Sequence, residues 1–172
     1  MKPERARILW EGFWTGLIGY VTVALTVGLL DLARGRSFFH TVALLGGALF
    51  GEPAGASGAT VTPDLVFSYN GVHLLAFLAI GLLIAFLVRE VELHPVAWYL
   101  AFFALLGMFF LGVFVVGALG ERSGAGVPWW SILAANLLAA FAMGTFLRRG
   151  HPRLWREVRE GADPEADDGT AG

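Results

Sequence analysis

The chain has no cysteine among its 172 residues, Lys2 is its single lysine, and charged residues make up only 15 % of it. The missing thiols exclude disulfides, thiolate metal sites and haem attached through a C-x-x-C-H motif. The low charge excludes an ordinary soluble domain, and with it a basic surface for nucleic acid. Also lacking are H-E-x-x-H, G-x-S-x-G and a P-loop, as are paired carboxylates within an apolar run and Ser-Lys or Ser-His pairs at helical spacing. Each absence removes a class of hydrolase or nucleotide enzyme, and no catalytic residue is nominated. No acidic residue lies deep in any apolar run and the two halves show no inverted repeat, which disfavours an ion-coupled transporter.

What the chain has in abundance is apolar sequence: 56 % hydrophobic residues and a mean hydropathy of +0.67. The composition predicts an all-α integral membrane protein, with four transmembrane helices in a bundle and a short re-entrant or interfacial helix after the first crossing. Residues 1–10 form a basic cytoplasmic N-terminus with Lys2, Arg5 and Arg7. The first crossing, 11–31, is too long for a signal-peptide core and is not followed by a small-residue cleavage site. Trp10 and Trp14 mark its inner interface, and Gly12, Gly16 and Gly19 offer a stripe where another helix can approach. An outer loop, 32–63, contains the apolar stretch 37–51, whose length of about 22 Å falls short of the ~30 Å hydrocarbon core.

The second crossing, 64–90, opens with helix-start chemistry at Pro63 and Asp64. It carries Tyr69, Asn70 and His73, polar groups that hydrocarbon penalises unless a partner is supplied. The third crossing, 95–119, is apolar throughout. The fourth, 128–147, begins Pro128-Trp129-Trp130 and holds Asn136 in a row of small residues. A basic amphipathic segment, 148–160, follows, in which Arg148, Arg149, Arg153, Trp155 and Arg156 are expected on the membrane surface. The acidic, glycine-rich tail 161–172 has the composition of a disordered segment.

Charge sets the orientation. Four crossings with the N-terminus inside place Lys2, Arg5, Arg7, Arg89, Arg148, Arg149, Arg153, Arg156 and Arg159 in the cytoplasm and only Arg34, Arg36 and Arg122 outside. A crossing by 37–51 would invert the later segments and place most of the basic residues outside, against the positive-inside rule. Both termini are therefore expected inside, in a bacterial cytoplasmic (inner) membrane, the arginine-, alanine- and glycine-rich composition being that of a GC-rich genome.

At this topology His73, Asn70, Tyr69, Asn136, Thr22 and Thr26 share one level of the outer leaflet, beside the short segment bearing His40. They make a candidate polar pocket near the outer face, in which His73 and Asn136 can pair across the bundle. The alternative is hydrogen-bonded glue between helices. The leading expectation is an accessory or assembly subunit of a membrane complex, or a homo-oligomer, with lipid and other membrane subunits as partners and no cofactor. From a different class comes a cofactor- or lipid-binding protein, with a b-type haem or a quinone near His73 and His40; a small transporter comes third. A metal site on His40 and His73 lacks a third ligand, since no spacing ties Asp31, Glu52 or Asp64 to them. His94 and His151, each before a proline at a helix end, read as interfacial.

Overall fold

The computed structural model describes residues 3–51, 61–122 and 127–152. Among these every element is helical: α1 (Pro3–Ala33), α2 (His40–Phe50), α3 (Pro63–Leu93), α4 (Trp98–Arg122, entered through a 3-10 turn at Pro95–Ala97) and α5 (Trp129–Gly150). Four of them, all but α2, are long and apolar enough to cross a membrane. Most of 52–63, and the expected surface residues Arg153, Trp155 and Arg156 with the acidic tail, lie outside the described residues.

The first helix starts well before the expected residue 11. Its opening turns hold charge in helical register: Arg7 Nε donates to Glu11 Oε1 at 2.7 Å, one turn on. An i,i+4 pair of this kind supports helix in a segment that apolar periodicity alone reads as a tail.

α1 is the element on which α3 and α5 assemble. Gly12 faces Leu82, Gly16 faces Phe77 and Leu78, and Tyr20 faces Asn70 and His73, so α1 and α3 run antiparallel. Glu11 meets His151, Gly19 meets Met143 and Arg34 meets Trp130, so α1 and α5 are antiparallel too. The backbones of α3 and α5 scarcely approach one another. Their side chains meet across α1, where Val23, Phe77, Ala135, Ala139 and Met143 form the buried apolar core. The glycine stripe is what permits the α1–α3 approach: a methyl on Gly81 would lie 2.7 Å from the Gly16 Cα, and one on Gly12 2.7 Å from the Leu82 Cα. Helices brought so close gain dispersion and backbone contact that larger residues forbid.

α2, about 16 Å long at 1.5 Å per residue, is fixed at its start by Asp31. This carboxylate is fully buried and accepts the Thr41 N–H at 2.8 Å and the Thr41 hydroxyl at 3.0 Å. An acid from the last turns of α1 thus satisfies an orphan donor at the N-terminus of α2, where the helix dipole also favours negative charge. Asp31 belongs to the packed interior, whereas its place in the sequence is the outer end of the first crossing. Further along, Gly46 lies on the backbone of Leu65 and beside Tyr69. The variant Asp31→Ala is expected to cost about 1 to 2 kcal/mol, the loss of a helix cap plus a buried partner. Hydrogen exchange should show it as faster exchange confined to Thr41–Leu45, and unchanged rates there would remove the capping role.

Candidate functional site

Two clusters of polar side chains stand out against the apolar background. The first lies where α1 and α3 cross, and it includes part of the expected pocket. His73, ten residues into α3, is held between Tyr69 one turn before it (ring centroids 5.5 Å apart, planes 17° apart) and Phe77 one turn after it (4.9 Å). Tyr20 closes the set from α1, its ring 5.7 Å from the imidazole. Its hydroxyl donates to Asn70 Oδ1 at 2.9 Å, and the Asn70 amide donates to the Val66 carbonyl at 2.8 Å. The asparagine is thereby paired within the protein. Among the described residues neither the His73 ring nor the Tyr69 hydroxyl has a hydrogen bond, and neither is among the sealed, unpaired side-chain atoms, which are Thr15 Oγ1 and Arg34 Nη2. The His73 side chain is half-buried and that of Tyr69 is buried.

The other expected members of the pocket are placed elsewhere or turned onto their own helices. Thr22 donates to the Ile18 carbonyl and Thr26 to the Thr22 carbonyl, both at 2.7 Å. Asn136 donates to the Ile132 carbonyl at 2.9 Å, and no hydrogen bond joins it to His73. The expected pairing across the bundle is not formed: Asn136 finds a carbonyl on its own helix one turn back. His40 begins α2 beside Asp31 and Thr41. His73 is level with Tyr20, and the eleven residues from Tyr20 to Asp31 span about 16 Å along α1. The two imidazoles therefore do not form an axial pair for one haem iron. No group of three His, Asp or Glu side chains among the described residues has the geometry of a metal site.

The second cluster was not anticipated. At the opposite end of α1, His151 caps α5 and is 5 % exposed. Its Nδ1 lies 2.5 Å from Glu92 Oε1 on α3 and its Nε2 lies 3.2 Å from Glu11 Oε2 on α1. Arg7, already paired with Glu11, brings Nη2 to 3.4 Å from Nδ1. Each ring nitrogen thus has a carboxylate neighbour on a different helix, with Arg7 paired to one of the two. The carboxylates stand on opposite edges of the ring, so the three side chains converge on the imidazole and on no common point where a metal ion could sit. The histidine that reads as interfacial is the most enclosed of the four in the chain. The available signal was Glu11 itself, an acid one turn from a basic residue at the mouth of an apolar helix. Arg148 and Arg149, one turn earlier than the cap, are exposed.

No family model, no curated protein and no solved structure matches the chain.

Proposed function

We propose that the protein is a multi-pass membrane protein of a bacterial cytoplasmic membrane, a four-helix bundle with both termini inside. Its role in this reading is non-enzymatic, as an accessory or assembly subunit that joins a larger membrane complex through α4. Support for insertion comes from two girdles of exposed aromatic residues. Trp10, Trp14, Trp98 and Tyr99 belong to the His151 end, while Trp129 and Trp130 belong to the other, where Arg34 lies 5.0 Å over the Trp130 ring. The 24 residues between Trp10 and Arg34 span about 36 Å, the distance expected between interfaces flanking a ~30 Å core. Antiparallel α1 and α3, joined through a helix of half that length, favour four crossings over five.

The observation that carries the subunit role is the isolation of α4. Only 6 % of its most apolar window is buried, against 28 % for α1 and 33 % for α5. Phe102, Phe103, Phe110, Leu111 and Phe114 all face outward. In lipid such a face costs nothing, but it also receives little from the rest of the protein, and van der Waals packing is what positions a membrane helix. A neighbouring subunit supplies that packing.

The test combines orientation and contact. Reporter fusions near His94 and at the C-terminus are expected to report cytoplasm, and fusions near Ser57 and Ser123 the outer side. A photo-crosslinking residue at Phe110 or Phe114, induced in the native membrane, is expected to give a protein adduct of discrete mass, absent when the probe replaces Leu25 on α1. Lipid adducts alone from α4 would overturn the subunit role, and an external C-terminus would overturn the topology.

A further inference from the structure

We infer that the Tyr69–His73 face of α3 is a binding site for a lipid-soluble quinone, a ligand that enters laterally from the membrane and accepts hydrogen bonds through its ring carbonyls. This rests on the crossing topology proposed above. Four observations carry it. His73 stands about 15 Å into α3 from Pro63, within the apolar depth of the helix and away from headgroups. Among the described residues its imidazole and the Tyr69 hydroxyl, one turn apart, have no hydrogen-bond partner, although Asn70 and Tyr20 beside them are paired. The His73 side chain is only half-buried, so water or a ligand can reach the imidazole. Finally, the rings of Tyr20, Tyr69 and Phe77 surround the imidazole with flat apolar surface.

The chemistry narrows the ligand class. An imidazole N–H and a phenol O–H are donors, so the ligand needs acceptors. The apolar surroundings reject charge, which removes phosphate headgroups and carboxylates. Flat rings at the wall favour a planar ring system. Quinones with isoprenoid tails combine two carbonyl acceptors on a flat ring with solubility in the bilayer. Asn70 is a positioning residue here: by accepting from Tyr20 it holds that ring against the imidazole and leaves His73 free to donate outward.

The experiment uses the full chain in lipid nanodiscs and an azido-benzoquinone carrying a decyl tail. Saturable photolabelling is expected, competed by unlabelled decyl-benzoquinone and mapping to peptides around Tyr20 and residues 66–77. His73→Leu should weaken binding about tenfold or more, the loss of one hydrogen bond in an apolar site. His73→Gln keeps a donor and should retain most of the affinity. Because the imidazole has no hydrogen-bond partner among the described residues, His73→Leu gives up ring packing alone and should lower thermal stability only slightly in the absence of quinone. Non-saturable labelling, equal in wild type and His73→Leu, would overturn the inference. So would a Soret band in the purified protein that His73→Leu abolishes, or a large stability loss in quinone-free His73→Leu. If the reporter fusions give the expected topology and labelling fails, the ligand alone is wrong; an inverted or five-pass topology removes the premise.

Discussion

Replacing Gly81 with leucine is expected to destabilise the protein by about 3 kcal/mol, the upper end of what overpacking costs. The atoms in the way decide the magnitude. A side chain at this position would run into the backbone of α1, at the Gly12 carbonyl and at Gly16, not into the end of a flexible side chain. Backbone cannot rotate aside, so the two helices must separate along the seam, and the Phe77 and Met143 packing around Gly19 separates with them. The comparison is Gly112→Leu on α4, where nothing lies within 4 Å. That substitution should stay within about 0.5 kcal/mol, as open positions do. Unfolding in detergent micelles measures both. Equal costs for the two variants would show that the α1–α3 seam is not what holds the fold.

The contrast between these glycines also marks how far the sequence is legible. Gly12, Gly16 and Gly19 announce a close approach, because their spacing puts them on one stripe of a helix. Their partner Gly81 gives no such signal, being a lone glycine in a run that is apolar on every side. For the same reason the apolar runs predict the long helices but not their order of importance. A membrane-length helix has no polar face to show which side turns inward, so the central place of α1 and the isolation of α4 emerge only from packing. The stretch 64–90 draws attention in the sequence through its histidine, yet it is one of two helices leaning on α1.

Polar residues divide along a similar line. Tyr69, Asn70 and His73 are conspicuous within a crossing, and the structure keeps them together at one turn of α3. Thr22, Thr26 and Asn136 are equally conspicuous and satisfy themselves on their own helices, since a carbonyl one turn back is always within reach of a short polar side chain. Depth alone cannot separate the two outcomes. Tyr20, the residue that joins α1 to the His73 turn, gives no signal of its own in the sequence. Asp31 and His151 sit at helix ends, where polar residues are ordinarily solvated, so their burial depends on which other elements close over them: α2 in one case, α1 and α3 in the other.

The buried histidine sets the second large effect. His151→Ala is expected to cost about 2 to 3 kcal/mol, since it removes two side-chain contacts to carboxylates and leaves Glu92 without its partner. The figure stays below that of a fully buried pair because the Glu11 and Glu92 side chains keep 19 % and 34 % of their exposure. What distinguishes an ionic tie from mere lost packing is the response to a second change. In the His151→Ala background Arg7 still neutralises Glu11 at 2.7 Å, so the carboxylate left without a partner is Glu92. Adding Glu92→Gln should therefore recover part of the loss, whereas adding Glu11→Gln should deepen it by orphaning Arg7. Opposite signs for the two double variants, each departing from additivity by more than about 0.5 kcal/mol, identify a charge network joining α1, α3 and α5. Additive costs in both cycles would reduce His151 to a packed cap at the end of α5.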